Sequence, residues 1–495
     1  MLNCKNTSFK AALLILFLGM IPQWTEAQQF EWSNLERFRN KTSYNRIIGA
    51  NQYGYYMLRS GNFDIRRRVY IERYRETLGK DFTKKIQQKR GVNLVNAFVN
   101  DLGISLWSSA YNDRTGNIDL YVDHLDEDAE PVGQRTIIAS ANPRNYSDQG
   151  DFVIIGNNFG THYVVVFTEL APQGKSYLNV RVYDQHLELL ANRKEKLDFN
   201  ELEFEVNQII VDTAGNAFVL ISGINHEMEK RSPERVGVHL FALSNRSDWY
   251  DFYLNTNTYF LNSPIMELDD VNKRLIVSGL YSEKSRELSK GILDFAIDRS
   301  TFHQEHHRFI PFDKELIQGI AGKKAAEAGE ELAEFVIRYM VTRSDGGFMV
   351  FGEEFSVSQQ SYTYYANGMA QVSTRSVYVY GKIFMLANDR SGNNQWSKII
   401  SKTQSSVNDF GYYSSFALCK KKDQIHILFN DKLKTNGGVL NFVLYNDNSL
   451  DHGMLFGNQG SFISIVPGET RQLDANTLLI PTSKDRKFAL VKIIF

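Results

Sequence analysis

The sequence predicts an all-β repeat protein, a seven- or eight-bladed β-propeller closed by its N-terminal strand. Three observations predict this fold. Aromatic residues make up 13% of the chain and only 9 residues are proline, a composition that favours strands. A pattern of polar turns and alternating apolar segments recurs with a period of about 45 to 50 residues, which matches a four-stranded blade. Tight-turn sequences separate the apolar segments throughout residues 28–495, so we predict a single domain there.

The first half of each repeat is a polar turn that contains Asn, Asp or Gly, followed by an apolar strand. Examples are Ala50-NQYGYYMLRS, Val99-NDLGISLWSSAY, Gly156-NNFGTHYVVVFTEL and Val211-DTAGNAFVLISG. Asn and Asp followed by Gly tolerate the positive φ that hairpin turns need. One unit cannot cover its own apolar face, so we expect the units to stack on one another. Eight units can be counted, of which the one near Phe98 is the least regular.

Residues 1–27 have the features of a signal peptide. Lys5 and Lys10 form a basic region, Ala11 to Ile21 a short apolar core, and Thr25-Glu26-Ala27 a cleavage site. The apolar stretch is too short to span a bilayer comfortably, so we expect no transmembrane segment after cleavage. We therefore predict an exported protein that is periplasmic, associated with the outer membrane or secreted.

Closure of the ring can also be predicted. The last repeat has strands near Arg471, Leu478 and Phe488 and then the chain ends, so it lacks a fourth strand. The segment Gln29-FEWSN resembles the outer strand Gln395-WSKII. We expect the N-terminal segment to complete the last blade and to remove an exposed edge.

Two insertions interrupt the repeats. Residues 314–335 are rich in Ala, Glu and Lys with helical spacing of apolar positions, which predicts a short helical insertion broken by glycines. Residues 355–376 lengthen one hairpin into an extended arm. The arm contains Tyr362, Tyr364 and Tyr365 in a polar setting, where they either anchor a partner or pack the arm onto its own blade.

Few residues suggest chemistry. Glu353 and Glu354 end an apolar strand, and at the mouth of a channel such carboxylates could bind a ligand or act as acid or base. We expect no metal site; the candidates for one would be His303, Glu305 and His307, which would share one face of a strand. The sequence has no nucleophile elbow, phosphate-binding loop or zinc-protease helix, and we expect a non-enzyme.

Four C-terminal segments, Asp345-GGFMVFGEE, Tyr378-VYGKI, Asn394-QWSKIISKTQSS and Ile427-LFND, carry a family resemblance. They resemble exported propeller-like proteins of Bacteroidetes-type bacteria, a group with no established activity. The resemblance implies a fold and a compartment and no catalytic residues. The stretch Ala387-NDRSGNNQW is similar to the tryptophan-docking repeat of quinoprotein propellers but is one residue shorter and occurs once. We therefore expect no cofactor, and we expect Trp396 to pack between blades.

The balanced charge, with 56 basic and 57 acidic residues, gives no general attraction to nucleic acid. The sequence thus predicts a non-catalytic interaction or scaffold protein of the cell envelope, or a secreted one, with a protein partner. The alternative is a glycan-binding or glycan-active propeller. Convergent carboxylates in the channel would favour an enzyme.

Overall fold

The computed structural model describes residues 28–37, 44–60, 68–87, 89–143, 150–172, 175–200, 204–223, 237–256, 259–366, 369–433, 437–457, 463–484 and 487–495, and these residues are nearly all in strands and turns. The predicted signal peptide lies outside the described residues. None of the helices in the described part is long and apolar enough to cross a membrane.

Sheets 1 to 4 are each a meander of four antiparallel strands in chain order. Two N-terminal strands precede them, β1 (Gln29–Trp32) and β2 (Glu36–Arg37). Sheet 1 consists of β3 (Tyr44–Asn51), β4 (Gly54–Ser60), β5 (Tyr70–Tyr74) and β6 (Lys80–Lys85), and sheet 2 of β7 (Val92–Asn100), β8 (Gly103–Asn112), β9 (Asn117–Leu125) and β10 (Pro131–Ala141). Sheet 3 consists of β11 (Val153–Gly156), β12 (His162–Leu170), β13 (Lys175–Asp184) and β14 (Leu189–Asn200), and sheet 4 of β15 (Phe204–Val211), β16 (Ala217–Gly223), β17 (Val238–Leu243) and β18 (Trp249–Leu254). The repeat near Phe98 forms a complete four-stranded sheet, with register shifts in the pairing of β9 with β10 and of β7 with β8.

Sheets 5 to 8 repeat this arrangement with additions. Sheet 5 consists of β19 (Phe260–Asp269), β20 (Arg274–Ser282), β22 (Gly291–Asp298) and β23 (Gln304–Pro311), and β21 (Leu288–Ser289) pairs with β24 (Leu332–Ala333). Sheet 6 consists of β25 (Phe335–Thr342), β26 (Phe348–Ala366), β27 (Met369–Asn388) and β28 (Asn394–Ile400), with β29 (Gln404–Val407) added to β27. Sheet 7 consists of β30 (Ala417–Lys420), β31 (Gln424–Asn430), β32 (Val439–Tyr445) and β33 (Leu450–Phe456). Sheet 8 contains β34 (Ile463–Ile465), β36 (Thr477–Lys484), β37 (Lys487–Ile494) and β1, and β35 (Arg471–Gln472) and β2 pair with it.

Alternating apolar residues predict one buried face per strand, but the middle strands are buried on both faces. In β16, Val219 and Ile221 pack with residues of sheet 3, whereas Phe218 and Leu220 pack with residues of sheet 5. Successive strand residues point to opposite faces, and both faces of sheet 4 are covered by neighbouring sheets. Four-stranded antiparallel sheets that stack in chain order are the architecture of a β-propeller. In the same way Cys419 is buried between sheets 7 and 8, and burial raises the pKa of its thiol to about 12.

The N-terminal strand β1 is the fourth strand of sheet 8. It pairs antiparallel with β37 from Gln29 opposite Ile494 to Trp32 opposite Val491. Phe30 and Trp32 pack edge-on against Phe456 of sheet 7. Sheets 1 and 8 also share an apolar cluster that contains Ile47, Met57, Leu479 and Leu490.

The helical insertion consists of α1 (Lys314–Ala321) and α2 (Lys323–Ala328), so its helical part is shorter than the predicted 314–335. Asp313 caps α1 by accepting a hydrogen bond from the backbone N–H of Leu316 at 2.7 Å. The helix is interrupted at Gly322, where φ is 93°, a conformation that favours glycine. Leu316 and Ile317 pack into the core between sheets 5 and 6.

Candidate functional site

The extended arm is a continuation of the hairpin between β26 and β27. These strands pair without interruption from Phe355 opposite Tyr380 to Ala366 opposite Met369. At its base the arm has a third strand, because β29 pairs with residues Val377 to Tyr380 of β27. Among the described residues, β26 pairs only with β27 from Ser356 onward. The outer arm, Gln360–Ala366 and Met369–Arg375, is therefore a two-stranded ribbon of roughly 20 Å.

The three predicted tyrosines lie on β26 in this outer arm. The backbone register places Tyr362 opposite Ser373, Tyr364 opposite Gln371 and Tyr365 opposite Ala370. Strand positions alternate between faces, so positions 362 and 364 share one face and position 365 belongs to the other. The side chains of these tyrosines lie outside the described part of the chain, and their role in binding stays a prediction. A partner that contacts only one face of the arm would therefore contact at most two of the three tyrosine positions.

Glu353 lies at the root of the arm, fully buried between sheets 6 and 7 rather than at the mouth of a channel. Its Oε1 is 2.7 Å from the Nζ atom of Lys402, and both side chains are excluded from solvent. Its Oε2 accepts hydrogen bonds at 2.7 Å from Nε of Arg338 and at 2.7 Å from Oγ of Ser415. A carboxylate held by two cations and a hydroxyl, with no access to solvent, is a structural group and not an available acid or base.

Polar contacts continue from this ion cluster into sheets 7 and 8. Lys402 Nζ donates to Oε1 of Gln404 at 3.0 Å, and Nε2 of Gln404 donates to the carbonyl of Asn430 at 2.8 Å. The side chain of Asn430 in turn pairs with the backbone of Ile465 through two hydrogen bonds of 2.9 Å. Burial lowers the pKa of Lys402, and the carboxylate of Glu353 opposes this shift. The network fixes the root of the arm to three successive sheets.

Two aromatic rings cover the ion cluster on the side of the arm. Phe355 and Tyr380 form a cross-strand pair with ring centroids 4.8 Å apart. The guanidinium carbon of Arg338 lies 4.8 Å from the centre of the Phe355 ring, and Nζ of Lys402 lies 5.5 Å from the centre of the Tyr380 ring. Cation–π contacts of this kind add to the ion pairs when the cation is desolvated. The arm therefore begins on a buried, charged and aromatic base.

A β-bulge lies next to this base, where Gly381 and Lys382 of β27 are opposite the single residue Glu354 of β26. The register shifts between Glu353, which faces Ile383, and Phe355, which faces Tyr380. The carboxylate of Glu354 accepts a hydrogen bond from the backbone N–H of Lys382 at 3.2 Å. A Cβ atom at Gly381 would lie 2.1 Å from Oε2 of Glu354, so a larger residue there would displace the Glu354 carboxylate. A bulge bends and twists its strand, and this one sets the direction in which the arm leaves sheet 6.

The helical insertion supports the same region. Nζ of Lys382 donates to the carbonyl of Ile320 at 2.6 Å, in the last turn of α1. The carbonyl groups at a helix C-terminus lack partners within the helix and attract cations. Both insertions of the sequence thus meet at the arm root.

The metal candidates His303, Glu305 and His307 do not share one face of a strand. Strand β23 begins at Gln304, so His303 lies in the preceding turn and not on a shared strand face. Glu305 Oε2 is 3.5 Å from Nη1 of Arg274 and 3.5 Å from Nη2 of Arg390. His307 packs between Phe295 and Phe309, and burial lowers its pKa. No group of three or more His, Cys, Asp or Glu side chains in the described ranges could hold a metal ion.

Carboxylates do meet beside the first strands of sheets 4 and 5, in a cleft of about 300 Å³. Each of them has a cationic partner. Asp212 and Asp270 lie 3.3 Å and 2.6 Å from the guanidinium of Arg299. Glu267 lies 2.9 Å from Nζ of Lys420. This arrangement does not provide the pair of available carboxylates that a glycosidase needs.

The partners of Glu353 could not be predicted from sequence periodicity. Arg338 precedes it by one strand, but Lys402 and Ser415 lie in the connection to sheet 7, whose path sequence periodicity does not reveal. One hint of a polar cluster is present in the sequence, because the polar residues Lys402 and Gln404 follow soon after the apolar end of β28.

Comparison with known proteins shows no matching family model and no matching curated protein. Among solved structures, the WD40 domain of SCAP from fission yeast is similar over 94% of this chain and 98% of that chain, with 10% identity and a TM-score of 0.42. A polysaccharide lyase, an ulvan lyase, is similar over 82% of this chain and 90% of its own, with 10% identity and a TM-score of 0.33. A Bacteroides caccae protein of unknown function is similar over 72% of this chain and 94% of its own, with 8% identity and a TM-score of 0.25. At these scores the likenesses transfer no activity, ligand or partner to this chain.

Proposed function

We propose that this protein is a non-catalytic binding protein of the cell envelope, or a secreted one, that holds a protein partner on its arm. The proposal includes export through the signal peptide 1–27 and a body that is a closed ring of eight blades. The apolar cluster shared by sheets 1 and 8 and the pairing of β1 with β37 support closure.

The observation that carries the proposal is the contrast between the arm and its root. The sheet needs only residues up to Glu354 on β26, where pairing with β25 ends. Beyond that point the chain continues for a further twelve-residue strand segment, Phe355–Ala366, anchored by the buried Glu353 cluster. An isolated two-stranded hairpin is marginally stable in water, so a third strand would stabilise the outer arm.

The edge of β26 fits strand addition. In each of the eight sheets the fourth strand contains at least one charged residue, as in Lys80–Lys85 or Gln304–Pro311. Charges on an edge prevent other strands from pairing with it. Residues 355–366 contain no charge and no proline. We infer that a partner strand pairs with this edge through backbone hydrogen bonds, with the tyrosines selecting its side chains.

The test replaces Gln360–Arg375 with Asn-Gly, which closes the hairpin after the pair formed by Gln359 and Ser376 with a two-residue turn. The affinity-tagged wild type and this short-arm variant are used to capture proteins from a native envelope extract, followed by mass spectrometry. We expect proteins retained by the wild type to be lost with the short arm while the melting temperature is unchanged.

A second variant, with Tyr362, Tyr364 and Tyr365 changed to Ser, separates binding from packing. If the tyrosines anchor the partner, capture weakens and stability stays the same. Lost stability with full recovery of the partner would overturn the role of the tyrosines, and full recovery with the short arm would overturn the role of the arm.

Glycan binding is the second candidate from the sequence, but no contact in the described residues favours it. A glycan array probed with the wild type and the short-arm variant distinguishes it from protein binding.

A further inference from the structure

The turns between the first two strands of sheets 1, 2 and 3 each expose an apolar residue at the same position. The turn sequences are Asn51-Gln-Tyr-Gly, Asn100-Asp-Leu-Gly and Asn157-Asn-Phe-Gly. Tyr53 is 44% exposed, Leu102 57% and Phe159 74%. Hairpin turns require Asn or Asp and Gly for their backbone geometry, but nothing in that geometry requires an apolar residue at the tip. The repeated choice of such a residue needs another explanation.

These turns are fixed by local hydrogen bonds. Asn51 Oδ1 accepts from the backbone N–H of Tyr53 at 3.0 Å, and Asn100 Oδ1 accepts from that of Leu102 at 2.9 Å. A Cβ atom at Gly103 would lie 2.5 Å from the carbonyl of Leu125, which explains the glycine after the tip. Each apolar side chain is therefore presented on a backbone that its neighbours hold in place.

The asparagines also connect one turn to the next. Nδ2 of Asn51 donates to the carbonyl of Asn100 at 3.2 Å, and Nδ2 of Asn100 donates to the carbonyl of Gly160 at 3.3 Å. The three tips thus form one preformed surface that spans three sheets. Apolar groups that are already ordered lose little conformational entropy on binding.

Large apolar tips do not occur in every sheet, and the turn of sheet 4, Asp212-Thr-Ala-Gly, has only Thr213 and Ala214 at its tip. Sheet 5 adds Val271, which is 73% exposed at its own turn tip. The corresponding turns of sheets 6, 7 and 8 have Ser344-Asp345, Lys422-Asp423 and Asp474-Ala475-Asn476 at their tips. A general feature of the turns would have appeared in all sheets.

The surroundings of Tyr53, Leu102 and Phe159 are acidic. On this side, the turns of sheets 1 to 3 (residues 51–54, 74–79, 100–103, 125–131, 157–161 and 184–189) contain eight acidic residues and one arginine. Arg73 and Lys84, from neighbouring strands, pair with two of these acids, Asp128 at 3.0 Å and Glu130 at 2.5 Å. The chain as a whole has a net charge of only -1, so these turns are more acidic than the chain on average.

We propose that the surface formed by Tyr53, Leu102 and Phe159 binds a protein segment that carries apolar side chains flanked by Lys or Arg. The apolar tips would be desolvated by the apolar side chains, and the acidic turns would attract the flanking cations. A second copy of this chain is a poor occupant, because a symmetric contact would bring the acidic turns of both copies together.

This surface is separate from the arm. In each antiparallel sheet, the turn between the first and second strands lies at one end of the strands. The arm joins the second strand of sheet 6 to the third, so it leaves the sheet at the opposite end of the strands. The two proposals can therefore fail independently.

The probe is a fluorescein-labelled 12-residue peptide of alternating Lys with Phe or Leu, and fluorescence anisotropy measures its binding to the chain 28–495. Two control peptides replace Lys by Glu, or Phe and Leu by Ser. We expect the double variant Leu102→Ser with Phe159→Ser to weaken binding at least tenfold. The matched control is Leu170→Ser, a residue 51% exposed at the opposite end of β12, which should bind like the wild type. Raising the salt concentration should weaken binding, since exposed charges are screened.

Equal affinity for the glutamate peptide, or an unchanged affinity in the double variant, would overturn the proposal. Analytical ultracentrifugation provides the remaining control: self-association of the wild type that the double variant abolishes would identify a second copy as the occupant and overturn the basic partner. If the double variant melts at a lower temperature, Asp101→Lys tests the charge alone, with weaker binding of the lysine peptide expected and no change as the contrary result.

Discussion

Lys402→Met removes one cation from the buried cluster at the arm root. Breaking a buried ion pair by removing one partner costs about 3–5 kcal/mol, because the other charge stays buried. Glu353 keeps Arg338 and the Ser415 hydroxyl, each at 2.7 Å, so we expect the lower end of that range, about 3 kcal/mol. Equilibrium unfolding in urea measures the free energy of unfolding. Trypsin cleavage after Arg375, an exposed residue of the outer arm, reports in parallel whether the root has loosened.

The double-mutant cycle tests whether the pair is coupled. Glu353→Gln should cost less than Lys402→Met, because the depressed pKa of Lys402 makes the loss of its proton easier once the carboxylate is gone. With both changes no unpaired charge remains on the pair, so the double variant should be more stable than the sum of the single effects by about 1.5 kcal/mol or more. Additivity within about 0.5 kcal/mol would show that Glu353 and Lys402 are not coupled.

Three further predictions follow from the packing. Burial lowers the pKa of His426 from 6.5 to about 4, so the unfolded chain binds a proton at a pH at which the native state does not. The free energy of unfolding should therefore fall by up to about 3 kcal/mol as the pH drops from about 6.5 to about 4. His426→Phe should remove this loss in unfolding curves measured across that range. Deleting Gln28–Asn34 removes β1 and its contacts with Phe456, and should lower the melting temperature and promote aggregation; equal solubility and stability would count against a role for β1 in closure. Trp396 packs between sheets 6 and 7 but is only partly buried, so Trp396→Ala should cost about 3 kcal/mol, and an unchanged free energy of unfolding would contradict that packing.

Much of the β architecture follows from local sequence. Turns such as Asn51-Gln-Tyr-Gly determine hairpins through backbone geometry alone, and the alternation between them determines strands. The missing fourth strand of the last repeat pointed to the N-terminal segment that pairs with β37. Burial of both strand faces was missed, because stacking on two neighbours leaves little polar alternation in a middle strand such as β16.

The candidate site was predictable only in part. The length and polarity of residues 355–376 identify an insertion, and the strand register places the tyrosines on it. The burial of Glu353 could not be predicted, since its partner Lys402 is brought to it by the path of a connection and not by strand periodicity. The bulge opposite Glu354 likewise could not be predicted, because only the paired backbone shows that two residues of β27 are opposite one residue of β26. The apolar turn tips were visible in the repeats, but their exposure was not.

If the arm holds a protein partner, in-cell photocrosslinking from the arm should trap that partner. A photoreactive phenylalanine derivative at Thr363, an exposed position of the outer arm, is compared with the same group at Leu170 on sheet 3. We expect a discrete crosslinked protein with the group at position 363 that is absent with the group at position 170. Identical crosslinking patterns at the two positions, or no crosslinked protein at position 363, would contradict it.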